Sequence, residues 1–132
     1  MGLFAGLFGT SQTKKPKDLG CWKYSPGRVV IQWGRAPELH TPCGAIRLEG
    51  RGLSERMLVI YGIDGQFHAF RNKCPIWGTR LDPVPGTAAV CCNGWARSTF
   101  DYTGNIMSGP GKATLKTYKV EVNKCKVIIT VD

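Results

Sequence analysis

The segments Cys74-Pro75-Ile76-Trp77-Gly78 and Cys91-Cys92-Asn93-Gly94-Trp95 decide how this chain is interpreted, and sixteen residues lie between Cys74 and Cys91. Each segment combines cysteine with Gly, Pro or Asn and follows an apolar run. This pattern predicts a tight loop at the end of a strand. Two such loops side by side would form a pocket suited to a metal cluster.

The sequence around these loops, from about residue 44 to residue 131, resembles a Rieske-type ferredoxin domain. The resemblance rests on residues 64–75, which read Asp-Gly-Gln-Phe-His-Ala-Phe-Arg-Asn-Lys-Cys-Pro, and on the second loop together with residues 98–105. In that family each loop supplies one cysteine and one histidine, and the four side chains hold a 2Fe–2S cluster. The resemblance therefore implies a β scaffold that carries its two loops at one end.

The histidines of the family pattern are missing from both loops. Ile76 stands where the first histidine is expected. In the second loop the expected position falls on Gly94 when counted from Cys91 and on Trp95 when counted from Cys92. A third alignment deletes the histidine between Asn93 and Gly94. None of the three supplies an imidazole, so we expect no cofactor at these degenerate loops.

A cysteine-ligated 2Fe–2S cluster is the alternative, with Cys74, Cys91 and Cys92 as metal ligands. Such a cluster needs four ligands, and the fourth would have to come from Cys21, Cys43 or Cys125. Without iron, Cys74 could instead form a disulfide with Cys91 or with Cys92, which would stabilise the domain by ~3 kcal/mol. In a reducing cytoplasm we expect free thiols.

Large apolar residues lie at and beside the missing ligand positions, namely Ile76, Trp77 and Trp95. A domain without a cluster must fill the vacated space, because protein interiors are close-packed and voids cost stability. These side chains meet that requirement.

Short apolar runs separated by Gly, Pro and Asn predict an all-β fold, an antiparallel sandwich or small barrel with two protruding loops. Asp64-Gly65 predicts a hairpin turn, residues 123–125 a closing one, and residues 81–86 an irregular connection. Asp82 and Asp101 are interpreted as turn residues. Strands are predicted at 28–33, 45–49, 57–61, 66–70, 87–92, 98–102, 117–122 and 126–131.

The N-terminal residues 1–27 are interpreted as an apolar and basic tail followed by a linker (10–27), with the β domain at 28–132. A docking face for a partner is predicted at Leu3, Phe4, Leu7 and Phe8, which share one side of a short helix. Peripheral membrane contact through this segment is an alternative, as is a tail that packs on its own domain or stays disordered.

The composition is that of a globular protein, with 42% hydrophobic and 20% charged residues among 132. The net charge of +9 favours an acidic partner surface, but no nucleic-acid motif is present and nucleic-acid binding is disfavoured. No signal peptide is evident, so a cytoplasmic location is predicted, with membrane association through a partner as an alternative.

No catalytic residue is predicted, because neither a Ser-His-acid spacing nor a phosphate-binding Gly motif is found. We therefore expect a Rieske-fold subunit without a conventional cluster, acting as a structural or binding component of a larger redox complex and not as an enzyme on its own. The alternatives are an electron carrier with an unusual cysteine-ligated cluster and a basic protein that binds a membrane or nucleic acid.

Overall fold

The computed structural model describes residues 11–92 and 97–131. These residues form twelve strands and three short 3-10 helices, at Leu19–Cys21, Trp33–Arg35 and Pro37–Leu39, and contain no α-helix. Within the same ranges no helix is long and apolar enough to cross a bilayer. The strands are β1 (Trp22–Ser25), β2 (Arg28–Gln32), β3 (Gly44–Leu48), β4 (Met57–Tyr61), β5 (Phe67–Arg71), β6 (Leu81–Pro83), β7 (Ala89–Cys92), β8 (Thr99–Asp101), β9 (Ile106–Ser108), β10 (Thr117–Tyr118), β11 (Val120–Asn123) and β12 (Lys126–Thr130). The predicted all-β class is confirmed.

The strands pair antiparallel in three four-stranded sheets. The first sheet has the order β1-β2-β12-β11, the second β10-β5-β4-β3 and the third β6-β7-β8-β9. The second sheet shares apolar contacts with both of the others, so it is the central layer.

Strand β4 shows why the second sheet is central, since four of its five residues are fully buried. Met57 and Val59 pack in one apolar cluster with the first sheet, whereas Leu58 and Ile60 pack in a second cluster with the third sheet. Successive side chains of a strand point to opposite faces, and a continuous apolar run therefore places a strand between two cores. The second cluster contains Cys74 of the first loop and Cys92 of the second.

The interpretation of residues 10–27 as a linker is wrong for residues 19–25. Strand β1 pairs with β2 along its whole length, with Trp22 opposite Ile31. Cys21 and Trp22 are buried in the first core. The Asp18 carboxylate caps the preceding 3-10 turn by accepting a hydrogen bond from the Gly20 N–H (2.9 Å). The packed β domain thus begins before residue 28.

Residues 11–13 are also attached to the domain, through Asp82. Its carboxylate accepts hydrogen bonds from the Ser11 hydroxyl (2.7 Å) and from the backbone N–H groups of Gln12 (2.9 Å) and Thr13 (2.8 Å). Asp82 is therefore a buried strand residue with a distant partner, and its interpretation as a turn residue is wrong. Asp101 does cap a turn, because it accepts from the N–H of Thr103 (2.9 Å).

The hairpin predicted at Asp64-Gly65 is confirmed, since it joins β4 to β5 and the Gly62 N–H donates to the Gln66 carbonyl (2.7 Å). The closing hairpin is confirmed only for β11 and β12, because residues 117–118 form β10 and pair with β5 instead. Residues 81–83 form β6, so the irregular connection predicted at 81–86 is wrong in its first half. Strand β9 was not predicted.

Candidate functional site

The first loop connects β5 to β6 and is closed by its own backbone. The Cys74 N–H donates to the Thr79 carbonyl (2.7 Å), and the Gly78 N–H donates to the Cys74 carbonyl (2.8 Å). At its base, the fully buried Asn72 accepts a hydrogen bond from the Leu81 N–H through its side-chain oxygen (2.7 Å). These bonds fix the direction in which the Cys74 side chain leaves the loop.

The Cys74 sulfur is enclosed, with 1% of the residue exposed. The Trp77 N–H lies 3.5 Å from Sγ. Burial raises the pKa of the Cys74 thiol, the N–H groups of Trp77 and Ile76 oppose that increase, and the neighbouring Cys92 thiol adds to it. The net result is a thiol with a raised pKa that stays protonated at neutral pH.

Cys92 ends strand β7 and brings the second sulfur to the same place. It is fully buried, and its Sγ accepts a hydrogen bond from the Ser98 N–H (3.2 Å). Both Cys74 and Cys92 belong to the second apolar cluster, together with Leu81 and Phe100. The two loops therefore contribute one sulfur each to a shared, buried position, which we call the thiol pair.

Cys91 does not join the thiol pair, because adjacent residues of a strand face opposite ways. It lies opposite Asp82 in the β6–β7 register and outside the second cluster. Burial raises the pKa of the Cys91 thiol, Arg97 opposes this increase and Asp82 adds to it. The predicted metal ligands Cys74, Cys91 and Cys92 are thus divided, with only the first and last brought together.

Ile76, at the first missing histidine position, packs against the second apolar cluster. The backbone at Gly111 lies directly on it: a Cβ atom added there would be 2.6 Å from Ile76 Cδ1 and 2.8 Å from Cγ1. Of the three apolar residues predicted to fill the vacated space, Ile76 packs at this position, whereas Trp77 is 43% exposed and does not fill it. Gly94 and Trp95, the candidates for the second histidine position, lie outside the described residues.

The donor set does not fit a conventional 2Fe–2S cluster, which needs four ligands. Among residues 11–92 and 97–131, no three His, Cys, Asp or Glu side chains are grouped so that they could hold a metal ion. The segment 93–96 reads Asn-Gly-Trp-Ala, so its sequence offers neither imidazole nor thiol. The thiol pair therefore supplies two donors of the four.

Both histidines have other partners. His40 Nε2 lies 2.8 Å from the Trp33 carbonyl oxygen, and its ring contacts the Trp33 ring. His68 Nε2 lies 2.8 Å from Asp64 Oδ2, and its ring stacks on Tyr102 with a centroid separation of 4.0 Å. The contacts of His68 with Asp64 and Tyr102 had no sequence signal.

The comparison with known proteins rests on structure, because no protein-family model and no curated protein matches the sequence. The plasma membrane Rieske protein PetC3 of Synechocystis PCC 6803 is 20% identical (TM-score 0.56), with 67% of this chain and 87% of that chain covered. The ferredoxin of carbazole 1,9a-dioxygenase from Nocardioides aromaticivorans IC177 is 16% identical (TM-score 0.56), covering 70% of this chain and 88% of that chain.

The quaternary ammonium Rieske monooxygenase CntA, solved in complex with L-carnitine, is 22% identical with a TM-score of 0.59. The alignment covers 84% of this chain but only 32% of the monooxygenase, so the chain corresponds to about a third of that enzyme. These similarities confirm the predicted Rieske fold.

Proposed function

We propose that this chain is a Rieske-fold subunit without a conventional 2Fe–2S cluster, which acts as a structural or binding component of a larger redox complex. In this proposal the chain is not an enzyme on its own and its loops hold no iron. The fold provides a β scaffold, and in the first of the loops that would carry a cofactor Ile76 packs against the second apolar cluster.

The observation that supports this proposal best is the packing of Ile76. An isoleucine side chain has no lone pair for iron, and here it is covered by the backbone at Gly111. Since one iron of a Rieske cluster is held by two imidazoles, the loss of this donor alone leaves that iron incompletely ligated. The thiol pair could still hold one iron, but the described residues around it supply no ligands for the second iron.

The redox setting is proposed by analogy with proteins of the same fold. One of them is named as the ferredoxin of a dioxygenase and another as a monooxygenase. A clusterless copy of the fold would retain the surface through which such domains pack in an assembly while losing the electron carrier. This step rests on likeness of fold alone.

Docking is proposed to use Leu3, Phe4, Leu7 and Phe8, with the net charge of +9 favouring an acidic protein face. Ser11, which follows this segment in the sequence, is attached to the domain by its hydrogen bond to Asp82. Contact with an anionic membrane surface is the alternative use of the same residues, and a cytoplasmic location is part of the proposal.

Purification under anaerobic conditions, followed by visible spectroscopy and assays for iron and acid-labile sulfide, tests the proposal. We expect colourless protein with far less than one iron per chain. Stoichiometric iron and sulfide with visible absorption would refute it and support the second candidate, a cysteine-ligated cluster. That candidate is favoured by one observation, the convergence of Cys74 and Cys92.

A further inference from the structure

We propose that Cys74 and Cys92 form a two-coordinate site for a soft monovalent metal ion, Cu(I). This inference rests on the proposed function, because a 2Fe–2S cluster would occupy the same sulfurs. It assigns a different ion, with a different coordination number, to a pair of side chains that the degenerate loops still hold together.

The position of the sulfurs is the first argument. Cys74 leaves a loop that is closed by its own backbone hydrogen bonds, and Cys92 leaves the end of a paired strand. Each sulfur faces a backbone N–H group, from Trp77 at 3.5 Å and from Ser98 at 3.2 Å. Hydrogen bonds from N–H groups stabilise negative charge on sulfur, so the site is prepared to hold thiolates once a cation replaces their protons.

The number of donors is the second argument. Structural zinc is almost always four-coordinate and iron–sulfur clusters are held by four ligands, whereas this site offers two sulfurs in the described part of the chain. The neighbouring position that would extend the coordination is Ile76. Thiolates favour Cu(I), zinc and iron–sulfur clusters, and of these only Cu(I) is satisfied by two thiolates, in a linear arrangement.

The surroundings of the thiol pair are the third argument. Leu81, Val90 and Phe100 are fully buried beside it. Cu(II) prefers tetragonal nitrogen and oxygen donors, which this apolar enclosure does not provide. The enclosure therefore favours the reduced ion.

Binding is a proton-for-metal exchange without electron transfer. The two S–H bonds break, two S–Cu bonds form, and two protons pass to the solvent, while copper stays Cu(I). Two thiolates and one monovalent cation leave a net charge of −1, which the N–H groups of Trp77 and Ser98 face. The stoichiometry is one copper per chain.

The test uses the full chain under anaerobic conditions, with Cu(I) supplied as its bathocuproine disulfonate complex so that competition measures affinity. Cys43 is partly exposed and Cys125 exposed, so both are replaced by serine to remove surface binding. Cys91→Ala is the matched control for Cys92→Ala, because the two residues are adjacent and buried but face opposite ways. Circular dichroism checks that each variant folds.

We expect one Cu(I) per chain and unchanged Cu(I) affinity in Cys91→Ala. In Cys92→Ala and in Cys74→Ala the affinity should fall by more than about 100-fold, because removing a metal ligand costs more affinity than removing a residue that only supports a ligand. X-ray absorption at the copper edge on the chain with all six cysteines, at one equivalent of copper, should show two sulfur neighbours, a readout that does not depend on variants folding.

Equal affinities in Cys91→Ala and Cys92→Ala would overturn the inference, as would three or more copper neighbours or a Cys74–Cys92 disulfide that persists after reduction. Iron and sulfide measured on the same preparation separate the two proposals. A cluster would refute the proposed function itself, whereas cluster-free protein that fails to bind Cu(I) would refute only the copper site.

Discussion

Gly111→Ala tests the claim that packing fills the first missing histidine position. The glycine has φ +93°, a left-handed conformation that costs a residue with a Cβ atom about 1–2 kcal/mol. The added Cβ would also lie 2.6 Å from Ile76 Cδ1. Overpacking of this kind costs about 1–3 kcal/mol, with the lower end expected because the Ile76 terminal methyl can move. The sum predicts a loss of about 2–4 kcal/mol in the free energy of unfolding.

Gly86→Ala is the matched control. Gly86 has φ +75°, but a Cβ atom there would meet nothing within 4 Å. It should therefore show the backbone cost of about 1–2 kcal/mol without the steric one. The difference between the two glycine variants isolates the contact with Ile76.

A double-mutant cycle completes the measurement. Ile76→Ala alone should cost about 1–2 kcal/mol, below the range for a fully buried isoleucine because Ile76 is partly buried. In that background the steric part of Gly111→Ala disappears, so the two substitutions should be coupled by about 1–2 kcal/mol. Urea unfolding of the four proteins measures the cycle. Additive losses, or a Gly111→Ala cost no larger than that of Gly86→Ala, would refute the packing of Ile76 beneath residue 111.

Two further predictions concern the supports of the loops. Asp82→Asn should cost about 1–3 kcal/mol at neutral pH, because a buried carboxylate loses charge-assisted hydrogen bonds. In the folded state the pKa of Asp82 is lowered: burial raises it, but hydrogen bonds from Thr13, Gln12 and Ser11 lower it more. The loss of stability in Asp82→Asn relative to the unsubstituted protein should thus be complete above about pH 4 and vanish as the pH falls through the folded-state pKa of Asp82. Thermal melts in which this loss does not change with pH would contradict the prediction. Glu121→Gln, at an exposed site, is the control. Asn72→Ala should cost about 1–3 kcal/mol because it leaves the buried Leu81 N–H without an acceptor, whereas Gln32→Ala, exposed on β2, should change urea unfolding by less than about 0.5 kcal/mol.

The sequence was sufficient for the strands whose pattern is local. The apolar run of β4 and the Asp64-Gly65 turn predict their hairpin without help from the rest of the chain. Strand β6 was missed because it is only three residues long and Pro83 ends it, and β1 because its alternation of apolar and polar residues spans only four positions in a stretch that contains Gly and Pro.

The site could be predicted only in part, because its decisive features depend on distant residues. Alternation along β7 implies that Cys91 and Cys92 diverge, but which of them faces Cys74 is set by pairing, with Leu81 of β6 opposite Cys92. The bond from Ser11 to Asp82 spans 71 residues and has no local signal. Ile76 could be identified from the sequence because the Rieske pattern places a histidine ligand at its position.

Because β7 ends in two adjacent cysteines, a shift of its register by one residue would still place a sulfur at the position of Cys92. If the strand slid by one residue, Cys91 would take the place of Cys92 and a sulfur would still face the first loop, but Val90 would leave the core and Ala89 would replace it. Exchanging valine for alanine in a closed interior is costly. Burial of Val90 therefore fixes the register of β7, because a shift by one residue would cost core packing even though a cysteine would still face the first loop.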